Sequence, residues 1–286
     1  MRSQTLVSVD ELATALDDPA LRLFDCRFDL ADTERGARDF AESRIHGAVY
    51  AHLDRNLSSP ITADSGRHPL PDATTLIEWL GDSGVTAGTQ LVAYDDSGGT
   101  MAVRLWWLLR WLGHVDVAVL DGGWQAWTGA ALAVEQGAPT APAPTRFHGR
   151  PDENQVVSSE QIARQLRDGS KRLLLMDART QERFRGDAEP IDPVAGHIPG
   201  AVNLPLQHNL GTDGRFKTSA ALRELYRRAL DGHPADDVAA MCGSGVTACH
   251  NLLAMEIAGL TGARLYAGSW SEWIRDPRRP VATGDR

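Results

Sequence analysis

DDVAAMCGSGVTAC, residues 236–249, contains the pattern on which the fold prediction depends. A short apolar run precedes the loop. Apolar residues at helical spacing follow it, namely Val246, Cys249, Leu252, Leu253, Ile257 and Leu260. This order predicts a strand, a tight loop and a helix. Gly243 and Gly245 allow the loop to turn sharply and its backbone to approach a ligand closely.

The cysteine that opens this loop, Cys242, is the main candidate for a reactive group. Successive backbone N–H groups in such a loop can converge on an anion, and the following helix adds about half a positive charge at its N-terminus. A thiol at that point should have a lowered pKa, and its thiolate would be the nucleophile. A buried structural cysteine is the alternative. The two glycines and the hydroxyls of Ser244 and Thr247 favour the reactive thiolate.

The loop composition argues against a phosphatase. Phosphoryl chemistry at a cysteine needs a guanidinium that closes the loop on the phosphate a few residues later. Ala248 and Cys249 stand there, and residues 242–247 carry no charge. A dianionic phosphate is therefore disfavoured as a substrate.

The first half of the chain contains a second copy of the same succession of segments. SVDELATAL, LRLFDCR, SRIHGAVYAH, LVAYDDSGGT and VAVLDGGWQAW correspond in order to SSEQIARQL, RLLLMDAR, GHIPGAVNLP, DVAAMCGSGVT and ARLYAGSWSEW. Asp25 corresponds to Asp177, and Asp95 corresponds to Cys242, at nearly the same spacing along the chain. Five segments in one order indicate two copies of one α/β domain.

Strands that alternate with helices predict that each copy is a parallel sheet with helices on both faces. Ser8, followed by Glu11, predicts a capping box at the first helix. Residues 135–154 are rich in Pro, Ala and Gly and predict an extended linker. We therefore expect a first domain over residues 1–134, a linker over 135–154 and a second domain over 155–286.

Composition limits the classes of function. The 286 residues suit two domains, and 42% hydrophobic with 23% charged residues is ordinary for a soluble globular protein. The formal net charge of −9 gives no overall basic surface for nucleic acid. No apolar run reaches the ~18 residues of a membrane span, and the N-terminus lacks the apolar core of a signal peptide.

The cysteine content predicts the compartment and the cofactor requirement. Cys26, Cys242 and Cys249 are too few for a disulfide framework and fit a reducing environment, so we expect a cytoplasmic enzyme. No cluster of ligands at zinc spacing and no dinucleotide-binding glycine loop occurs in the sequence. We therefore expect neither a metal nor an organic cofactor.

CGSGVTA, residues 242–248, resembles the active-site loop of the 3-mercaptopyruvate sulfurtransferases in the rhodanese superfamily. The tandem layout extends this resemblance over nearly the whole chain. It implies two rhodanese-like domains and a Cys242 persulfide that passes sulfur from 3-mercaptopyruvate to a thiol or another nucleophile, with release of pyruvate. Thiosulfate-using members usually carry basic residues where this chain has Gly243 and Ser244. Asp95 cannot carry sulfur, so the first domain is expected to be catalytically silent.

The resemblance also implies residues that bind the donor. Backbone N–H groups of the loop, at Gly243, Gly245, Val246 and Thr247, would hold the transferred sulfur. An arginine would grip the donor carboxylate, because its fork matches that group, and Arg183 in DARTQERFRG stands at the family position.

A second arginine, which the family often has shortly before GHIPG, is absent from DAEPIDPVAGHIPG. Arg185 or another residue would have to replace it. Arg179 is expected to pair with a carboxylate and brace a strand end, as Arg27 would in the first copy.

The family's proposed proton relay corresponds here to His68, Asp54 and Ser244. A histidine that a carboxylate orients can exchange a proton with a hydroxyl. An exposed loop histidine is the alternative for His68. His197 and Cys249 are expected to be structural, with a resolving thiol as the alternative for Cys249. The tryptophans are expected to pack in the core or at a domain interface.

Three functions remain open at this level. A 3-mercaptopyruvate sulfurtransferase is preferred, with a small thiol or a thioredoxin-like protein as acceptor. A thiosulfate:cyanide sulfurtransferase is the alternative enzyme. A persulfide carrier that a partner protein loads is the third, because the second arginine is missing. Neither a nucleic acid nor a membrane is expected as a partner.

Overall fold

The computed structural model describes residues 2–169 and 172–285. Its internal contacts divide the chain into two compact units. The first comprises Met1–Ser59, Leu70–Asp152 and Thr212–Arg215, and the second comprises Pro60–Pro69, Glu153–Gly211 and Phe216–Arg286. Residues 60–69 therefore belong to the second unit although they lie in the first half of the sequence. Within the described ranges, no helix combines the length and the apolar character needed to span a bilayer.

The first unit is a five-stranded sheet with flanking helices. Its elements are β1 (Leu6–Val7), α1 (Val9–Ala15), β2 (Leu21–Asp25), α2 (Arg35–Glu42), β3 (Arg44–Ile45), β4 (Ala48–Tyr50), α3 (Ala73–Asp82), β5 (Gln90–Tyr94), α4 (Ala102–Trp111), β6 (Val117–Leu120), α5 (Gly123–Gly129) and β7 (Val134–Glu135). The strand order is β1-β6-β5-β2-β4, and the neighbouring strands are parallel. β3 and β7 form a separate antiparallel pair.

The second unit repeats this architecture with a four-stranded sheet. Its elements are α6 (Ser159–Asp168), β8 (Leu174–Asp177), α7 (Gln181–Arg185), β9 (Val202–Asn203), α8 (Ser219–Leu230), β10 (Val238–Met241), α9 (Ala248–Ile257), β11 (Arg264–Leu265) and α10 (Ser269–Trp273). The strand order is β11-β10-β8-β9, again with parallel neighbours. The α/β fold with parallel sheets is confirmed.

Alternate residues of the strands build a core on each face of the sheet. In β8, Leu175 packs in the cluster that contains Ile162 of α6, whereas Leu174 and Met176 pack with Tyr226 of α8. Each fully buried side chain of this size contributes roughly 2 kcal/mol through removal from water. The prediction that helices cover both faces is therefore correct for the second unit.

Both units begin with the same helix-capping arrangement. The Ser8 hydroxyl accepts the Glu11 N–H, and the Glu11 carboxylate accepts the Ser8 N–H. Ser158 and Gln161 form the same reciprocal pair at the start of α6. The predicted capping box at α1 is confirmed, and the second unit repeats it.

A buried aspartate–arginine pair closes the equivalent strand in each unit. Arg27 Nη2 lies 2.6 Å from Asp25 Oδ2, and Arg179 Nη2 lies 2.7 Å from Asp177 Oδ2. Both arginines are 3% exposed. The structural role expected for Arg179 and Arg27 is confirmed, because each guanidinium ties the chain after the strand to the strand itself.

The tryptophans that follow β6 and β11 pack in the core. Trp124 and Trp270 lie beneath these two guanidinium groups, with ring centroids at 4.4 and 4.8 Å. Trp127 and Trp273 are 1% and 0% exposed. The predicted core packing is confirmed for these residues.

The segment predicted as a linker is extended, and most of it packs on the first unit. The Thr145 N–H donates to the Gly81 carbonyl at 2.8 Å, and the Arg150 N–H donates to the Leu112 carbonyl at 2.9 Å. Phe147 is buried. Residues up to Asp152 thus belong to the first unit rather than forming a free spacer.

Candidate active site around Cys242

Cys242 lies at the carboxyl end of β10, where open α/β sheets place their ligand sites. It is 2% exposed. The Gly245 N–H points back into the loop and donates to Cys242 Sγ at 3.1 Å. The N–H groups of Trp270 and Ser271 donate to the carbonyls of Cys242 and Gly243, at 3.0 and 2.9 Å. These bonds hold the loop against the start of α10.

A backbone contact requires the second glycine of the loop, Gly245, and guanidinium groups lie close to the first, Gly243. Gly245 has φ +78°, and a Cβ there would lie 2.2 Å from the Ala267 carbonyl oxygen. A Cβ on Gly243 would lie 2.8 Å from Arg67 Nη2 and 3.5 Å from Arg183 Nη2. Two guanidinium groups therefore lie over the backbone next to Cys242.

Ser269 fixes the backbone of Cys242 from a strained position. Its φ is +54°, a left-handed value that costs a non-glycine residue roughly 1–2 kcal/mol. The buried hydroxyl accepts the Cys242 N–H at 3.0 Å and donates to the Tyr266 carbonyl at 2.9 Å. Strain of this kind is commonly held at functional sites. The sequence pattern carried no indication of it.

Two carboxylates orient the guanidinium groups above the loop. Both oxygens of Glu189 accept from Arg183 Nε at 3.0 Å, and Arg179 Nη1 lies 3.4 Å from Glu189. Asp192 Oδ2 pairs with Arg183 Nη2 at 3.0 Å, and its Oδ1 pairs with Arg67 Nη1. The side chains of Glu189 and Asp192 are each 3% exposed.

The two carboxyls have opposite pKa shifts. Burial alone would raise the pKa of Glu189, but hydrogen bonds from Arg183 and from the N–H groups of Asp192 and Ile191 outweigh it, so that its pKa lies below the usual range. Burial raises the pKa of Asp192 above its ordinary value, and repulsion from Glu189 adds to this, although Arg67 and Arg183 oppose it. The two residues are therefore not equivalent.

Arg67 is the site residue that sequence reasoning missed. Its N–H donates to Ser271 Oγ at 3.0 Å, which fixes the segment that carries it. Among the residues that the structure describes, its buried Nε has no hydrogen-bond partner. Its position directly before His68 was the one available signal. Arg67 lies far in sequence from GHIPG, the segment before which the family resemblance implies a second arginine.

His68 and Ser244 come together as predicted. The His68 Nδ1 and Ser244 Oγ atoms lie 2.7 Å apart, and the two residues are 5% and 7% exposed. The alternative of an exposed loop histidine is wrong. Asp54 lies in the first unit as an exposed residue, and its N–H donates to His52 Nδ1 at 3.1 Å.

Arg185 is directed to other partners. Its guanidinium pairs with Asp187 at 2.8 Å and with Asp285, and its side chain is 34% exposed. Arg67, and not Arg185, is the second arginine whose guanidinium lies near Gly243. The difference arises because the Arg185 guanidinium is held by these two surface carboxylates.

The structure also locates the remaining candidates. Cys249 is fully buried in α9, with Sγ 3.5 Å from the Gly245 carbonyl oxygen. Val246 is buried, and Thr247 directly precedes α9. His197 is buried as well, and its Nδ1 lies 2.8 Å from the Phe184 carbonyl oxygen.

The equivalent loop of the first unit is filled by its own side chain. Asp95 Oδ1 accepts the N–H groups of Ser97 and Gly99, at 2.8 and 2.9 Å. Asp95 Oδ2 accepts those of Met101 and Ala102, at 2.7 and 2.8 Å. Four backbone donors that converge on one carboxylate make this loop an anion-binding concavity.

Comparisons with known proteins agree with this geometry. Residues 8–130 and 158–276 each match the family model described as the rhodanese-like domain. A Pseudomonas aeruginosa protein named "Probable 3-mercaptopyruvate sulfurtransferase" is 50% identical over 287 residues, which cover 100% of both chains. Thiosulfate sulfurtransferase of Rattus norvegicus is 32% identical, over 98% of this chain and 94% of its own.

A solved structure shows the same likeness in three dimensions. The 3-mercaptopyruvate sulfurtransferase from Leishmania major superposes with a TM-score of 0.84 at 32% identity, over 94% of this chain and 74% of that chain. The sequence match, the repeated sheets and the loop around Cys242 lead to one conclusion. The chain belongs to the rhodanese-like family and carries two domains of that family in tandem.

Proposed function

We propose that this protein is a sulfurtransferase that moves sulfur from 3-mercaptopyruvate to a thiol acceptor through a Cys242 persulfide and releases pyruvate. One observation carries the proposal. The Cys242 thiol accepts a backbone hydrogen bond in a loop without charged side chains, directly beside the guanidinium groups of Arg67 and Arg183. The names of the similar proteins from Pseudomonas aeruginosa and Leishmania major support the choice of donor.

The first step forms the persulfide. The Cys242 thiolate attacks the donor sulfur, an S–S bond forms, and the C–S bond breaks with its electron pair left on C3 of the donor. The resulting enolate of pyruvate is then protonated. Arg67 and Arg183 would bind the donor carboxylate, since guanidinium forks match that group, and the loop N–H groups from Gly243 to Thr247 would hold the outer sulfur.

A proton must reach the carbon that loses sulfur. The Ser244 hydroxyl, 2.7 Å from His68 Nδ1, can move a proton between the imidazole and a bound donor. We infer that His68 and Ser244 form this relay. The donor's own S–H proton balances the reaction, so that no oxidant or reductant is consumed.

The second step returns the free cysteine. An acceptor thiolate attacks the outer sulfur, a new S–S bond forms on the acceptor, and the Cys242 thiolate leaves. A small thiol or a thioredoxin-like protein fits this chemistry.

The three cysteines form no disulfide in the structure, which is consistent with a reducing compartment such as the cytoplasm.

We infer that only the second unit forms a persulfide. Asp95 has no sulfur, and its carboxylate already occupies the loop that corresponds to the Cys242 loop. The family domains over residues 8–130 and 158–276 would thus divide into a silent copy and a catalytic copy.

The test compares two donors on wild type and Cys242→Ser. Each protein is incubated separately with 3-mercaptopyruvate or thiosulfate, and intact-mass analysis detects the gain of one sulfur atom. We expect 3-mercaptopyruvate to load the wild type, with loss of loading in Cys242→Ser and retained loading in Cys249→Ser. Folded wild-type protein that gains no sulfur from 3-mercaptopyruvate would contradict the proposal.

Thiosulfate:cyanide transfer is the second candidate. The two arginines beside the loop could hold a sulfonate, and the similar rat protein is named thiosulfate sulfurtransferase. Loading mainly by thiosulfate would favour it. The persulfide-carrier hypothesis depended on a missing second arginine, and Arg67 beside Gly243 removes that reason.

A further inference from the structure

Asp192 bridges the two arginines that lie over the catalytic loop. One oxygen pairs with Arg183 Nη2 at 3.0 Å, and the other pairs with Arg67 Nη1. The guanidinium groups of both arginines come within 3.5 Å of the position that a Cβ on Gly243 would occupy. Asp192 thus acts on the donor site through its two partners, from a side chain that is 3% exposed.

This arrangement sets the charge of the donor site. Arg67 and Arg183 bring two positive charges, and Glu189 and Asp192 bring two negative charges. Apart from the Cys242 thiolate itself, the loop from Cys242 to Thr247 has no charged side chain. The guanidinium groups are therefore held in a fixed orientation, and their charge is largely balanced by the two carboxylates. A bound sulfur substrate gains hydrogen bonds from them more than long-range electrostatic attraction.

The two candidate donors differ in the charge on which this arrangement acts. Thiosulfate is a dianion, whereas 3-mercaptopyruvate carries one carboxylate. The Coulomb energy between a ligand and a fixed charge is proportional to the ligand charge. A negative charge beside the site consequently disfavours thiosulfate about twice as strongly as 3-mercaptopyruvate.

We propose that Asp192 determines donor specificity by neutralising the arginine pair and so disfavouring dianionic donors. The part that concerns 3-mercaptopyruvate rests on the proposed function, whereas the part that concerns thiosulfate does not. Asp192 acts as a positioning and charge-setting residue, since its contacts are to Arg67 and Arg183 rather than to the reacting sulfur.

Glu189 has a different task, although it carries the same charge. Its Oε1 accepts the N–H groups of Ile191 and Asp192 at 3.1 Å each, so that it builds the turn on which Asp192 stands. It also binds Arg179, which braces β8. Asp192 is therefore the carboxylate whose charge can be removed while the turn keeps its hydrogen bonds.

The experiment measures kcat/KM for thiosulfate and for 3-mercaptopyruvate in wild type, Asp192→Asn and Asp192→Glu. We expect kcat/KM for thiosulfate to rise at least about tenfold in Asp192→Asn, while that for 3-mercaptopyruvate changes several-fold less. The gain should shrink as ionic strength increases, because salt screens the added charge. Asp192→Glu keeps the charge and should retain the wild-type ratio of the two donors.

A matched control separates local charge from net charge. Glu224 pairs with Arg228 on the exposed face of α8, and Glu224→Gln removes one negative charge from the second unit without touching either arginine. It should leave the donor ratio unchanged. An equal gain with thiosulfate in Glu224→Gln, or no gain in folded Asp192→Asn, would overturn the proposal.

Binding provides a second measurement that does not depend on turnover. In the Cys242→Ser background, Asp192→Asn and Asp192→Ser should both tighten the binding of thiosulfate by about tenfold in calorimetry, with thermal unfolding as the check on folding. Agreement between two neutral side chains of different size excludes a packing effect. Failure of wild type to use 3-mercaptopyruvate would refute the proposed function alone, since the thiosulfate measurements decide this inference separately.

Discussion

The loops after β5 and β10 are two versions of one structure with different occupants. In the first, the Asp95 carboxylate accepts four backbone N–H groups at 2.7 to 2.9 Å. In the second, Cys242 presents a sulfur atom that accepts the Gly245 N–H. The comparison teaches that the fold supplies the anion-binding loop, while one side chain decides whether the loop is permanently filled or remains available for chemistry.

The largest effect should come from replacing Cys242 in the second loop by aspartate, the residue at the equivalent position of the first loop. Cys242→Asp should abolish persulfide formation, a loss of at least about 10³-fold, because the nucleophilic sulfur is removed. The carboxylate should accept the loop N–H groups as Asp95 does. Urea unfolding should therefore find Cys242→Asp at least as stable as Cys242→Ser. A much less stable Cys242→Asp protein would show that the backbone N–H groups of the two loops do not bind a carboxylate equally well.

Removal of the Asp95 carboxylate from the first loop should reduce the stability of the protein and not its activity. Asp95→Ala leaves four backbone donors without their carboxylate and should cost about 3–5 kcal/mol of unfolding free energy. Persulfide formation at Cys242 should persist while the protein is folded. The control is Asp96→Asn, whose carboxylate pairs with Arg35 near the surface at 2.8 Å and should cost below about 1 kcal/mol. Equal losses from both variants would contradict the assigned role of Asp95.

A finer test concerns the residue at the start of the short helix after β6 or β11, which lies against each loop. Gly123 and Ser269 have φ values of +56° and +54° in corresponding positions, and only Ser269 has a hydroxyl that can accept the Cys242 N–H. Ser269→Gly should slow persulfide formation about tenfold, with unfolding free energy within about 1 kcal/mol of wild type, because strain relief offsets the lost hydrogen bond.

Ser269→Ala separates the two contributions. It keeps the strained backbone and loses the hydrogen bond, so it should be less stable than Ser269→Gly by about 1 kcal/mol or more. The rate of persulfide formation and the thermal midpoint are measured for both variants. A full rate in Ser269→Gly would mean that the hydroxyl does not position Cys242.

The smallest expected effect concerns the capping boxes with which the two units begin. Ser8→Ala and Ser158→Ala each remove one capping box and should each cost about 1 kcal/mol in urea unfolding, with no change in donor use. Clearly different costs would show that the two first helices are not equivalent, although their hydrogen bonds match.

Features that depend on neighbours in the chain could be predicted from the sequence. The strand, loop and helix around Cys242, the Ser8 cap and the Asp177–Arg179 pair all form within a few residues of one another. Their patterns occur twice in the chain, which strengthened each prediction. The tandem α/β fold followed from these local units.

Features that depend on distant contacts could not be predicted. Arg67 and Asp192 meet across 125 residues of sequence, and Ser269 reaches Cys242 across 27. No local periodicity indicates such pairs. Arg185 was the natural candidate for a second arginine in its segment, but nearby surface carboxylates bind its guanidinium.

The membership of residues 60–69 in the second unit has a consequence for how the protein can be divided. A polypeptide that starts at Glu153 contains Cys242 and its whole parallel sheet, yet it lacks Arg67 and His68. The two sheets are thus distinct structural units, but the boundary between the two sequence repeats does not coincide with the boundary between the units. A truncated protein that begins between the two repeats keeps Cys242 but loses Arg67 and also His68, which contacts Ser244.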